Sequence, residues 1–453
     1  MTARSWLIPV AMVLISGQLP AQGPPTPRIY VPFGDARPLL DALRSDLLPL
    51  EFQGRSATEI APAWDGWVAA RDAYIRHRLE RGDDDSVVNL LLFGSSFTGQ
   101  PRATAREILV LASQGRLDEL ILRPFVQRRI ADLVAGAAAP GDNERLQFVA
   151  RVMARAGIDP RRYLEAELRR ILAEYETYAR TSGPERSVRF DDRGLSSDTS
   201  IYPGFAIEQA LDAAASVRLV GARRVRRVGI AGPGLDFTDK REGHDFYPQQ
   251  TLQPFAVIDS LMRLGLADDR GVSVTTFDLS PRVNDHLATV RERARTGAAY
   301  VLHLPRNTTA SWNPDLTVYW SRFGDRIGTP LAPLPTPADL EHLEVRAVRV
   351  PAAMALRVVP LDLNIVLQRL EPLTDDERFD VIIATNLLVY YDVFERSLAF
   401  ANVVHMLRPG GLFLANNSTP VVLPPSMESV GYSETIFSSQ LNDRDRIEWY
   451  RKK

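Results

Sequence analysis

Hydrophobic and polar positions follow two different rhythms along the chain. From about residue 28 to 182 the apolar residues recur at helical spacing. In the stretch 160–175, Leu164, Leu168, Ile171, Leu172 and Tyr175 form one apolar stripe, the later four at offsets of 4, 7, 8 and 11 from the first. Asp159 suits the cap of that helix and Pro160 its first turn. Similar patterns occupy roughly 37–48, 61–81, 103–114, 118–136 and 143–156. No repeat of fixed length links them, which predicts a helical bundle over 28–182 rather than a solenoid.

The segment LLLFGSSFTGQPR (90–102) interrupts the helical half with Gly94, Ser95, Ser96, Thr98 and Gly99. It reads as a helix connection with caps, the other option being a ligand loop facing the second half. A stretch rich in Gly, Ser, Asp and Pro at 183–204 predicts a linker or an extended crossing segment. Beyond it strands and helices alternate: helix 205–219, strand 225–231, helix 252–265, strand 272–278, helix 281–295, strands 355–361 and 380–385, helix 392–407 and strand 411–415. That order predicts a parallel sheet with helices on both faces. Residues 432–450 read as two strands joined by a polar turn at Asn442 and Asp443, with Ile447 and Trp449 packing on one face.

The expected fold is therefore α/β: a mostly parallel, Rossmann-like sheet ending in an antiparallel hairpin and preceded by an all-α N-terminal domain. The second domain spans 205–453 and carries insertions at 235–250 and 296–350. The first insertion is rich in charge, including Asp239, His244 and Asp245, and is expected as a solvated loop rather than a lid. The second has aromatics and prolines that suggest a hairpin or cap over the sheet edge.

Length and composition agree with two globular domains. The chain has 453 residues, 45% hydrophobic and 24% charged, with a net charge of -2. No global basic field invites nucleic acid. There are no cysteines, which excludes disulfides, thiolate metal sites and a cysteine nucleophile. The first 22 residues carry Arg4 and an apolar run from Trp6 to Ile15, the pattern of a secretory signal peptide. The expected location is then extracytoplasmic, with no membrane span after signal removal; without a signal it is cytoplasmic.

Chemistry concentrates where strands end. The strand VGIA runs into Gly232 and Gly234, whose missing side chains allow a sharp turn and a close ligand approach. The next strand ends at Asp278, where a carboxylate can accept hydrogen bonds from both ribose hydroxyls or can cap the following helix. VVPLDLN places Asp362 and Asn364 after a third strand. FDVIIATNLLVYYD (379–392) places Asn386, Tyr390, Tyr391 and Asp392 soon after the unbroken apolar run Val381–Ile383, as expected of a strand covered on both faces. A nicotinamide site fits poorly: the third position of the G-x-G-x-x-G fingerprint is Phe237, and Asp278 lies 44 residues beyond Gly234. The six histidines show no paired ligand spacing, so no metal site is expected.

Over about 224–420 these residues resemble the class I S-adenosylmethionine-dependent methyltransferases, most nearly the chemotaxis-receptor glutamate methyltransferases. The likeness is most specific at Asn386–Tyr391, where the family has an Asn, two apolar residues and an aromatic-rich end after its fourth strand. The resemblance implies S-adenosylmethionine as cofactor, with Gly232 and Gly234 beside its methionine part, Asp278 on the ribose and Asp362 and Asn364 flanking the adenine. Asn386 would line the pocket, and Tyr390, the one catalytic candidate, would face the transferring methyl group. Two positions depart from the family: Thr385 stands where an Arg precedes the Asn, and Gln253 where an acidic residue is common.

The implied function is methyl transfer to an acceptor, protein or small molecule, that the sequence does not identify, a carboxylate being one option. The alternative is a non-catalytic extracytoplasmic binding or interaction module on the same fold, since an exported protein meets little of this cofactor.

Overall fold

A seven-stranded sheet organises the second half of the molecule. The computed structural model describes residues 27–453 except 181–192, 223, 240–243, 269–270, 338–339, 341, 417–420 and 441–442. The expected signal segment, much of the expected linker and the turn residue Asn442 lie outside the described residues. In chain order the strands are β1 (Arg28–Tyr30), β2 (Arg227–Ala231), β3 (Ser273–Asp278), β4 (Tyr300–Asn307), β5 (Thr329–Leu331) and β6 (Leu343–Val350). There follow β7 (Val358–Asp362), β8 (Gln368–Leu370), β9 (Phe379–Ala384), β10 (Leu407–Ala415), β11 (Met427–Ile436) and β12 (Arg444–Lys452).

The large sheet has the order β11-β12-β10-β9-β2-β3-β7. β10, β9, β2, β3 and β7 run parallel, and β12 inserts antiparallel between β10 and β11. The chain leaves β2 for β3 and β7 on one side, then returns to β9 on the other. The order thus reverses between β2 and β9, and a doubly wound sheet opens its ligand crevice at the carboxyl ends of the two strands where that happens.

Both faces are covered, which explains why β9 is apolar without alternation from Val381 to Ala384. Val381 and Ile383 pack into a core with Phe255, Ile258 and Leu261 of helix Gln253–Arg263. Ile382 points the other way, against Phe394, Leu398 and Val403 of helix Val393–Met406. Asp392 is the N-cap of that second helix, accepting the Glu395 N–H at 2.7 Å.

The N-terminal part is not purely helical, and its apolar residues divide between two cores. β1 pairs antiparallel with β8, from the far end of the chain. Helix Trp64–Phe93 runs on past the expected 61–81 because its apolar pattern continues through Val87–Phe93. Trp64, Val68 and Ile75 near its start join the core beneath the sheet, whereas Val87 to Phe93 join a bundle core with Ile130, Leu133, Val149 and Leu168. One helix therefore ties the bundle to the sheet.

The described part of the charged insertion, 235–239 and 244–250, is largely buried, contrary to the expectation of a solvated loop. Its polar groups find partners far away in sequence, which offsets their desolvation. Asp245 accepts hydrogen bonds from the N–H and hydroxyl of both Ser95 and Ser96. Arg145 donates to the carbonyls of Asp236, Phe237 and Tyr247. The Gly94–Ser96 turn is thus a docking clamp as well as a helix connection. The second insertion folds as a small antiparallel sheet, β4-β6-β5, with helix Pro314–Arg322. It ties to the C-terminal hairpin through the Asn313 N–H, 2.7 Å from the Phe437 carbonyl.

Candidate functional site

A cavity of about 440 Å³ lies at the carboxyl ends of β2, β3 and β9, where the strand order reverses. Its volume falls within the range of about 300–1,000 Å³ usual for small-ligand pockets. Gly232, Gly234, Asp278, Asn364, Asn386 and Tyr390 all border it. Asp362 does not.

The floor is the turn after β2. Gly232 and Gly234 adopt φ of 66° and 64°, which any residue with a Cβ adopts only at a cost. At Gly234 a Cβ would also stand 2.7 Å from the Ser197 carbonyl oxygen, so the residue allows a second piece of chain to pass over it. That piece is residues 195–200, which forms the roof. The Leu235 N–H donates to the Ser197 carbonyl at 2.7 Å and the Thr199 N–H to the Leu235 carbonyl at 2.8 Å. Asp198 anchors the roof, accepting from Ser86 Oγ at 2.8 Å and Asn89 Nδ2 at 3.2 Å and pairing with Arg282 at 3.3 Å. Gly194 and Gly82 meet backbone to backbone, and the Leu195 N–H donates to the Arg78 carbonyl.

Asp278 closes the β3 end of the cavity and is 9% exposed. Burial pushes its carboxyl up to about 6, outweighing the N–H groups of Ser280, Gly234 and Leu279 that favour the ionised form. The Ser280 N–H donates to its Oδ1 at 2.8 Å, so the carboxylate closes a tight turn while it faces the cavity.

On the β9 side Asn386 sits at φ 56° and exchanges two hydrogen bonds of 2.6 Å with Asn416: its N–H donates to Asn416 Oδ1 and its Oδ1 accepts from Asn416 Nδ2. Asn416 also donates to Asp445 at 3.2 Å, which links the site to the C-terminal hairpin. The Tyr390 carbonyl accepts from the Arg78 guanidinium at 2.9 Å, and the Tyr391 ring is fully buried beneath the same group. Burial raises the Tyr391 phenol and keeps it protonated.

The adenine-edge expectation divides. Asn364 borders the cavity, but its amide donates to Asp72 of the long N-terminal helix at 2.7 Å and its Oδ1 accepts from Val366 N–H. Asp362 is turned outward, 47% exposed, and pairs with Arg76 at 2.9 Å. The reason is the long helix itself, which brings Asp72 and Arg76 to the end of β7 and competes for both side chains.

The two departures from the family turn out to touch. Gln253 Nε2 donates to Thr385 Oγ1 at 2.7 Å inside the core next to the cavity. A neutral pair therefore occupies both positions, each satisfying the other's polar group. Among the described residues no cluster of three or more His, Cys, Asp or Glu is placed to hold a metal ion, and no helix is long and apolar enough to cross a membrane.

No family model matches the chain, and no curated protein matches it. Among solved structures, the chain is similar to the N-methyltransferase NodS from Bradyrhizobium japonicum in complex with S-adenosyl-L-homocysteine, at 14% identity, 62% of this chain, 98% of that one and a TM-score of 0.27. It is also similar to magnesium protoporphyrin IX methyltransferase from Synechocystis with bound S-adenosylmethionine, at 10% identity, 62% and 90% coverage and a TM-score of 0.26. These neighbours are S-adenosylmethionine-dependent methyltransferases; likenesses this distant carry no conclusion about this chain, whose α/β architecture rests on its own strand order. Neither of these two is a chemotaxis-receptor methyltransferase.

The described end of the expected linker or crossing segment does cross the turn after β2, but its place as the cavity roof was not read from the sequence. Segment 195–200 has no periodicity, and its polar residues look like linker; the one local signal is Asp198, which reads as solvated until Ser86, Asn89 and Arg282 are brought to it.

Proposed function

We propose that the chain binds S-adenosylmethionine in this cavity and transfers its methyl group to an acceptor. The observation that carries this reading is the convergence of Gly232, Gly234, Asp278, Asn386 and Tyr390 on one cavity at the point where the strand order reverses. The bound sulfonium supplies an activated methyl carbon with a neutral thioether as leaving group. The chain's own residues hold and orient. Asp278 receives the ribose hydroxyls, the Gly232–Gly234 turn lets the methionine part approach the backbone, and Tyr390 with the roof limits water near the methyl carbon. Asp362 takes no part in adenine contact. The acceptor's lone pair forms the new bond to the methyl carbon as the carbon–sulfur bond breaks, so a carboxylate acceptor requires no base, while an amine or hydroxyl acceptor gives up its proton.

The test is thermal unfolding of the full chain with and without millimolar S-adenosylhomocysteine. A ligand present at about a hundred times its Kd stabilises the folded state by about 2.7 kcal/mol, a shift of several degrees, and Asp278→Ala is expected to remove it. A folded protein with no shift contradicts the proposal. The second reading, a non-catalytic binding module on the same fold, draws support from the polar groups already engaged inside the chain: Asn386 with Asn416, and Asn364 with Asp72. It is the better account if the unfolding midpoint does not respond to the cofactor. Under it the expected location outside the cytoplasm, from the first 22 residues, becomes part of the proposal.

A further inference from the structure

A second cavity, of about 500 Å³, lies between the tip of the C-terminal hairpin and the start of helix Pro314–Arg322. It shares one lining residue, Arg444, with the cavity described above. A nucleoside with an amino-acid tail takes up most of a 440 Å³ space, so an acceptor that reaches the methyl carbon extends beyond it. The hairpin tip divides the two spaces by simple alternation. Phe437 borders the first, while Ile436 and Ser438 on either side of it border the second. Hydrogen bonds hold this segment in place: the Phe437 N–H donates to the Asp443 carbonyl at 2.8 Å, and Ser438 bridges to Trp312. Aromatic rings run from one cavity to the other. The Tyr202 ring lies 5.2 Å from that of Phe437 and 6.0 Å from that of Trp312.

Charge says what these rings accommodate. Among the described residues bordering the two cavities the one cationic side chain is Arg444, which stands opposite Ile436 in the hairpin register. Its carboxylate partner, Glu434, is 3.8 Å away, and both side chains are exposed, at 58% and 44%. A pair that long and that solvated holds its guanidinium weakly. The neighbouring Asp445 is occupied elsewhere, accepting from Asn416 Nδ2 at 3.2 Å and from the Arg446 N–H at 2.8 Å. The fork of Arg444 is therefore available to an anion, and its planar donors suit a carboxylate or a phosphate.

Resting on the cofactor reading above, we propose that the two cavities form one acceptor track and that the acceptor is an amphipathic acid. Its apolar body lies along Tyr202, Phe437 and Trp312, and its carboxylate or phosphate group is held by Arg444. The acid is the anchor rather than the methylated atom, because an oxygen whose lone pairs are engaged by a guanidinium is a poor nucleophile. The methyl group goes to another heteroatom of the acceptor. The lone pair of that atom forms the bond to carbon, the carbon–sulfur electrons stay on sulfur, and a proton on the heteroatom leaves to water.

The experiment titrates the full chain, saturated with S-adenosylhomocysteine, with phenylacetate, phenyl phosphate and phenethylamine, which share a ring and differ in the charged group. Wild type is expected to bind at least one acid tenfold or more tightly than the amine, and the tighter acid identifies the headgroup. Arg444→Gln is expected to weaken that acid about tenfold and to leave S-adenosylhomocysteine within twofold. Arg446→Gln removes the same charge two positions along β12, where the guanidinium lies over Tyr432, and is expected to leave both ligands within twofold. No binding of either acid, an amine bound as tightly as both acids, or equal losses in the two variants overturns the acceptor track and leaves the cofactor reading standing. Folded wild type that binds no S-adenosylhomocysteine overturns the cofactor reading and the track with it.

Discussion

The loops after β3 and β7 leave neighbouring strands in the same direction, and their last residues, Asp278 and Asp362, are register partners. Asp278 stays at the cavity, held in a turn by its own backbone and raised to about 6 by burial. Asp362 is drawn outward to Arg76, and Asn364 just after it is drawn to Asp72. A polar residue at a strand end is available to a ligand only when the adjoining element leaves it so; here the long N-terminal helix claims one loop and spares the other.

The comparison breaks most sharply at Asp72. Its carboxylate is buried and accepts from Tyr30, Arg76 and Asn364. Asp72→Ala should cost about 3 kcal/mol of stability in chemical denaturation, because the buried Asn364 amide loses its partner and the Arg76 guanidinium keeps only Asp362. Unchanged stability would show that the β7 loop is not held by the helix.

Asp278→Asn should act in the opposite sense on the two properties. Affinity for S-adenosylhomocysteine falls about a hundredfold in titration, since two charge-assisted bonds are weakened. The apo protein at pH 7 gains roughly 2 kcal/mol, because a charge that burial disfavours is gone. The sign follows from the raised value. Between about 4 and 6 the folded state keeps a proton that the unfolded chain has released, so stability falls as pH rises through that window and the whole cost is present above it.

The same value predicts a smaller effect on binding. Ligand affinity should drop as pH falls below about 6, where Asp278 takes up its proton, and the drop should be absent in Asp278→Asn, measured by titration from pH 5 to 8. Asp236 and Asp392 are also raised to about 6, which is why the variant is required. Smallest of all is Asp362→Asn: an exposed pair is worth at most about 1 kcal/mol, and affinity should stay within twofold.

Much of the fold was legible because strand and helix periods are local. β2, β3, β9 and the helices over 253–263, 281–295 and 393–406 lie within a few residues of where the pattern puts them. The places of Gly232, Gly234, Asp278, Asn386 and Tyr390 at or just beyond strand ends were legible for the same reason; what each does there is part of the proposal. The rest depends on partners distant in sequence. Nothing in the sequence around Asp236 and Asp245 announces burial until Arg145 and Ser95–Ser96 are brought to it, and nothing in 195–200 announces a roof until Gly82 opens a path across the long helix. The outward turn of Asp362 depends on Arg76, nearly three hundred positions earlier.

The most direct measurement is a calorimetric titration of S-adenosylhomocysteine into wild type, Asp278→Asn and Asp362→Asn. Micromolar binding by wild type and Asp362→Asn, weakened about a hundredfold in Asp278→Asn, is the predicted result. Equal affinity in all three, or no binding by folded wild type, would contradict the account.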